Sequence, residues 1–145
     1  MTLWNASFAI TAGIGKIKEM AHLLIVRGLP GSGKSTFAKT LGFNHFEADQ
    51  YFVNDYDEYE FDPRKLINAH EWCQAEVFYA LNQNQNTVVS NTFTRIWEIQ
   101  KYIDYCVANG HTFNVVTCEG DYGSIHGVPK EAIQRMKDRW ERYPN

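Results

Sequence analysis

The run Gly28-Leu29-Pro30-Gly31-Ser32-Gly33-Lys34-Ser35-Thr36 constrains this chain more than any other stretch, because it matches G-x-x-x-x-G-K-[ST] in full. The glycines let main-chain N–H groups close around phosphate oxygens. Lys34 stands where a side chain reaches the β and γ oxygens, and Ser35 where a hydroxyl ligates Mg²⁺. The helix expected next adds its positive end. Such a cradle belongs between a buried strand and a helix, and both flanks comply. His22-Leu23-Leu24-Ile25-Val26-Arg27 is a short apolar run that stops at glycine, and Thr36–Leu41 reads as a helix ended by Gly42. The bland alternative is an ordinary glycine-rich strand–helix turn. With the context satisfied, a nucleoside triphosphate, ATP with Mg²⁺, is the expected ligand of Gly28, Pro30, Gly31, Ser32, Gly33, Lys34, Ser35 and Thr36.

The chain continues to alternate strand and helix signals. Asn44–Ala48 is a weak second strand. Asp62-Pro63 is a cap and a first-turn proline, after which Leu66, His70, Cys73, Val77 and Leu81 recur at helical spacing. Thr87–Ser90 is a third strand, and a helix from about Arg95 to Ala108 ends at Asn109-Gly110. Thr112–Thr117 is a fourth strand. Pro129 opens a last helix with Ile133, Met136 and Trp140 on one face. Successive βαβ units predict an α/β fold of about four parallel strands with helices on both faces. Residues 21–145 are expected to form one domain, and residues 1–20 an ill-defined N-terminal extension. Met20 is a candidate natural start, which truncation there would check.

Composition narrows the function classes. Fourteen Lys+Arg against 17 Asp+Glu gives a formal charge of −3, which excludes a nucleic-acid binder built on a broad basic surface. It leaves room for a cleft that handles one strand end. No apolar run approaches the ~18–20 residues that span a bilayer, and the start lacks the cationic region of a secretory signal. Cys73, Cys106 and Cys118 are odd in number and far apart, as buried thiols in a reducing cytoplasm are. No membrane association is expected.

A phosphate cradle alone does not separate a kinase from an ATPase or a GTPase. The chain has no N-K-x-D motif for reading guanine. Its third strand ends Val88-Val89-Ser90-Asn91, without the carboxylate that usually helps hold Mg²⁺ there. Asp49, at the carboxyl end of the second strand, faces the crevice in which open α/β sheets bind ligands. Two readings stand for it: proton acceptor from an attacking hydroxyl or water-mediated Mg²⁺ contact, and simple cap of the next turn.

The ordered set of motifs resembles the P-loop kinase family that includes phage polynucleotide 5′-kinase, in its branch of small AAA-type ATP-binding proteins with an HGVP motif. The resemblance rests on residues 28–36, Glu-Ala-Asp-Gln-Tyr-Phe at 47–52, Ala-His-Glu-Trp-Cys-Gln at 69–74, Val-Val-Ser-Asn-Thr-Phe-Thr-Arg-Ile-Trp-Glu at 88–98 and His-Gly-Val-Pro at 126–129. It continues through Ile133, Met136 and the Arg139-Trp140-Glu141 ending. It implies a four-stranded kinase core with Asp49 as the base for a 5′-hydroxyl. Three departures bear on catalysis. Phe52 stands where those kinases carry an arginine for the substrate phosphate. Ser90-Asn91-Thr92-Phe93 replaces the usual Asp-Asn-Thr-Asn. The lid, Cys118 to Ile125, is short and holds no basic residue.

Arg95, Arg135 and Arg139 are candidate substitutes for the missing lid arginine, and their spacing equally suits solvated helix faces. Asp55, Asp57, Glu58, Glu60 and Asp62, interleaved with Tyr51, Tyr56 and Tyr59, read either as an acidic aromatic edge to the acceptor cleft or as a solvated loop. His70, Trp72 and Trp97 read as packing residues. In His126-Gly127-Val128-Pro129 the proline starts a helix and the glycine sets the turn, and a role near the nucleotide base is the alternative, by analogy alone. The leading expectation is a phosphotransferase acting on a hydroxyl acceptor, a polynucleotide 5′ end first. The alternatives are an ATP-binding interaction protein with a protein partner and little catalysis, or a kinase of small hydroxyl substrates.

Overall fold

The computed structural model describes residues 20–123 and 126–144. All but the last residue of the expected N-terminal extension lies outside the described residues, as do Ser124 and Ile125 of the lid. Four strands, β1 (His22–Gly28), β2 (Asn44–Phe46), β3 (Thr87–Asn91) and β4 (Thr112–Cys118), form a parallel sheet in the order β2-β3-β1-β4. The helices are α1 (Lys34–Lys39), α2 (Leu66–Asn82), α3 (Ile96–Asn109) and α4 (Lys130–Asp138). The fold class expected from the alternation is the one observed.

Side-chain alternation along β1 explains the layering. Leu23 and Ile25 face α2 and α3, packing with Cys73, Val77, Leu81, Ile99, Ile103 and Cys106. Val26 faces the other way with Val88 and Ala38, alongside Leu24, Phe37 and Leu41. The central strand is therefore apolar on both faces, as a doubly covered parallel strand must be. Edge strand β4 carries no buried residue. Because β1 is flanked by β3 and β4, the loop leaving it opens at the centre of the sheet's carboxyl edge, where such folds bind ligands.

Two boundaries differ from expectation for local reasons. Strand β2 stops at Phe46, and Ala48–Phe52 winds as a 3-10 helix carrying Asp49. The Ala48 N–H donates to Asn91 Oδ1 at 2.8 Å and so leaves the ladder. A 3-10 turn, Pro63–Lys65, precedes α2, with the Asp62 carboxylate accepting from the Arg64 N–H. That turn rotates Leu66 to the surface, at 42% exposure. The close of α3 is as expected: Gly110 adopts φ 74°, which a side chain would disfavour.

Candidate functional site

The loop after β1 folds into α1 through left-handed glycines, Gly31 at φ 81° and Gly33 at φ 90°. Ser32 N–H donates to Leu29 O at 3.0 Å and Phe37 N–H to Gly33 O at 2.9 Å, closing the turn and starting the helix. Gly33 is the N-cap and supplies no capping side chain, so the first amides of α1 keep their donors. Burial pushes the Lys34 pKa down, and the charges of Glu47 and Asp49 act against that. Among the described residues, Lys34 makes no hydrogen bond or ion pair, and the buried Ser32 Oγ also has no partner. A half-buried free ammonium beside uncapped amides is the donor set that a polyphosphate satisfies, so the residues present fit ATP.

Glu47, just past β2, was not among the candidate site residues. Its Oε2 accepts from Ser35 Oγ at 2.7 Å and from Ser90 Oγ at 2.9 Å. His45 Nε2 lies 2.7 Å from Ser90 Oγ and 3.5 Å from the same carboxylate oxygen. Since the Ser90 hydroxyl donates to Glu47, His45 Nε2 carries the proton it gives to Ser90. Burial pushes the Glu47 carboxyl up, but hydrogen bonds from His45, Ser35 and Ser90 outweigh it and hold the group at about 2. An acid thus stands beside Ser35 although the third strand lacks one. The sequence showed an acid at the end of the second strand, and the pairing of Phe46 with Val89 in the folded sheet sets it beside Ser90 on the neighbouring strand. A lone Mg²⁺ needs few protein ligands when phosphates and water complete its shell. Ser35 with one carboxylate fits that need, and among the described residues no group of three His, Cys, Asp or Glu forms a larger cage.

Asp49 sits two residues beyond Glu47, on the 3-10 helix Ala48–Phe52. Tyr59 Oη donates to Asp49 Oδ1 at 3.2 Å, and His126 Nε2 lies 3.7 Å from Asp49 Oδ2. The His126 ring stacks on Tyr59 with centroids 4.1 Å apart. His126 of the His-Gly-Val-Pro motif therefore lies against both Asp49 and Tyr59. The aromatics of the acidic loop divide: Phe52 packs edge-on against Tyr51, Tyr59 and Phe61, whereas Tyr56 is exposed. Asp55, Asp57, Glu58 and Glu60 are exposed.

The 90–93 segment, which departs from the resembled pattern at Ser90 and Phe93 and keeps it at Asn91, has structural roles. Asn91 pins Ala48 and so aims the segment bearing Asp49. Phe93 adopts φ 48°, a conformation that suits asparagine, yet it is buried against Tyr102. Its carbonyl accepts from Nε of Arg27, a buried arginine whose guanidinium lies 4.0 Å over Trp140. Of the three candidate arginines, Arg95 pairs with Glu141 and Arg139 donates to Thr94 Oγ1, while Arg135 is exposed. Tyr122, in the described part of the 118–125 segment, donates its N–H to Gly31 O at 2.8 Å. Trp72 packs edge-on to Phe46, and His70 is half-buried. Trp97 is 60% exposed beneath Lys101 rather than packed. No helix among the described residues is long and apolar enough to cross a membrane.

Comparison with known proteins places this geometry. A family model described as AAA domain matches residues 23–143. NEDD4-binding protein 2 of Homo sapiens is 33% identical over 138 residues, covering 83% of this chain and 8% of that protein. The chain therefore spans a small fraction of the human relative's length. An uncharacterized protein of Pasteurella multocida (strain Pm70) is 30% identical over 135 residues, covering 81% of this chain and 75% of that one. Among solved structures, a chain of the Pnkp1/Rnl/Hen1 RNA repair complex superposes with a TM-score of 0.55 at 19% identity, over 89% of this chain and 42% of that chain. The APS kinase CysC of Mycobacterium tuberculosis, solved with AMPPNP and APS, gives 0.54 at 14% identity, over 81% and 69%. At these identities the structures share the fold, a P-loop kinase-like core.

Proposed function

The chain belongs to this AAA-domain family, and from that premise we propose that residues 21–145 form one ATP- and Mg²⁺-binding domain that moves the γ-phosphoryl of ATP to a hydroxyl acceptor. The observation that carries the reading is the phosphate loop itself, with left-handed Gly31 and Gly33, uncapped first amides of α1 and a half-buried Lys34 that makes no hydrogen bond or ion pair among the described residues. Lys34 and the loop amides hold the phosphates, and Ser35 contributes to the metal. Bound there, Mg²⁺ neutralises phosphate charge. The acceptor oxygen forms its bond to the γ-phosphorus as the bond to the β–γ bridging oxygen breaks. The hydroxyl proton passes to Asp49 and ADP leaves.

A polynucleotide 5′ end is the leading acceptor, supported by the resemblance of the motif set. The acidic loop beside Asp49 disfavours contact with a long polyanion and favours a terminal nucleotide. The free, mostly buried thiols suit a reducing cytoplasm. Radiolabelled ATP offered with 5′-hydroxyl DNA, RNA, nucleosides and small alcohols tests the reading and separates the polynucleotide acceptor from a small one. Clear ATP binding with no transfer to any acceptor overturns it.

A second reading is favoured by a specific observation. Arg27, Arg64, Arg95 and Arg139 are all engaged with other groups. An arginine at the γ-phosphate is worth ~10³–10⁵ in rate, so the engagement of these four supports an ATP-binding interaction protein with little turnover, and among the described residues the exposed Arg135 and Arg142 are the arginines outside such contacts. One relative is named for binding NEDD4. This reading expects ATP to change the affinity of a protein partner without being consumed.

A further inference from the structure

The carboxylate that related kinases carry at the end of the third strand has a substitute here, one strand away. In the resembled pattern an aspartate opens the Asp-Asn-Thr-Asn run, and this chain has Ser90 at that place. The pairing of Phe46 with Val89 brings Glu47 and Ser90 side by side, their side chains joined by the 2.9 Å hydrogen bond. The carboxylate here stands just past β2 rather than on β3, and its Oε2 lies 2.7 Å from the Ser35 hydroxyl.

We propose that Glu47 is the carboxylate that, with Ser35, positions Mg²⁺ on the bound triphosphate, replacing an acid at position 90. The inference rests on the reading that Gly28–Thr36 binds ATP with Mg²⁺. Three features of the geometry support it. Ser35 donates its proton to Glu47, which leaves the hydroxyl lone pairs for a cation. All the contacts from Ser35, Ser90 and His45 fall on Oε2, and among the described residues Oε1 accepts no hydrogen bond. That oxygen is the one available to metal-bound water. His45 and Ser90 lock the carboxylate's orientation, as partners behind a metal-ligating acid do.

The test is titration calorimetry of ATP with the full chain, in EDTA and in Mg²⁺, backed by Mn²⁺ binding read by electron paramagnetic resonance. In the wild type, Mg²⁺ raises ATP affinity by about tenfold or more. Glu47→Gln reduces that gain to about twofold or less. In EDTA the same variant binds ATP as tightly as the wild type or more tightly, because a negative charge near the phosphates is gone. The exchange variant Glu47→Ser/Ser90→Asp returns the carboxylate to the third strand and recovers most of the Mg²⁺ gain and the Mn²⁺ signal.

A folded Glu47→Gln that keeps the full Mg²⁺ gain overturns the assignment, as does an exchange variant that folds and recovers nothing. If Glu47→Gln does not fold, the exchange variant alone decides. A wild type that binds no ATP in Mg²⁺ overturns both this assignment and the nucleotide-binding reading beneath it. ATP binding with an intact Mg²⁺ gain in Glu47→Gln overturns this assignment only.

Discussion

His126 Nε2 lies 3.7 Å from Asp49 Oδ2, joining the start of the His-Gly-Val-Pro motif to the 3-10 helix that follows β2. Tyr59 completes the arrangement, donating to the other carboxylate oxygen at 3.2 Å and stacking on the histidine ring. The two oxygens of Asp49 are thus oriented by residues from two distant segments. In the proposed transfer, a carboxylate held this way would present a defined lone pair to the acceptor hydroxyl.

Asp49→Asn is expected to lower phosphotransfer by ~10²–10⁴ while leaving ATP affinity nearly unchanged, since it removes a proton acceptor and not a phosphate contact. Tyr59→Phe and His126→Ala should each lower kcat with little change in KM for ATP. Steady-state kinetics with varied ATP and varied acceptor separates these effects.

Lys34→Ala should abolish stabilisation by ATP. At a hundredfold excess over Kd, ATP adds about 2.7 kcal/mol to a protein that binds it only when folded. Thermal melts with and without Mg²⁺ and ATP read the difference directly. The variant without nucleotide should melt no lower than the wild type, because the side chain it removes is a half-buried ammonium that no partner compensates.

Glu47 makes stability depend on pH in the acid range. Its carboxyl is held at about 2 in the folded chain against an ordinary 4.5. The unfolded chain therefore binds the proton first as pH falls. The stabilisation is fully present above about pH 4.5 and lost progressively toward pH 2, amounting to about 3 kcal/mol at most. Urea denaturation at several pH values should show this decline in the wild type. Glu47→Gln should show a shallower one.

Gly31→Ala should cost stability and nucleotide binding together. The residue is at φ 81°, and a Cβ there would lie 2.7 Å from the Gly123 carbonyl oxygen. The left-handed conformation alone costs roughly 1–2 kcal/mol for an alanine. Urea midpoints and ATP titration of the same variant check both effects.

Phe93→Asn tests why this chain departs from its relatives' pattern. Asparagine tolerates φ 48° better, yet the ring it replaces is 2% exposed and packs against Tyr102. Lost burial should outweigh relieved strain, for a net destabilisation of about 2–4 kcal/mol by equilibrium unfolding.

The layering was legible in the sequence because it follows from periodicity. The short apolar run at 22–27, the helical recurrence of Cys73, Val77 and Leu81 and the glycine after Asn109 each specify local structure through nearest neighbours. Glu47 was harder to read. Its identity as an acid was plain, but its partner Ser35 lies on another element, and only parallel pairing of β2 with β3 adds Ser90. Trp97 shows the opposite limit: an aromatic residue in a helix invites a buried reading, and the face it occupies turned out to be solvent.

From its sequence alone this protein was determined to be a parallel α/β chain with a phosphate loop, since strand, turn and helix preferences act over a few residues and the loop's glycines have no substitute. Tertiary structure alone decided which acid stands beside Ser35, where His126 meets Asp49 and which arginines are engaged elsewhere. Those are contacts between segments far apart in the chain. Their energies depend on register, burial and the side chain opposite, and none of these is a property of a short stretch.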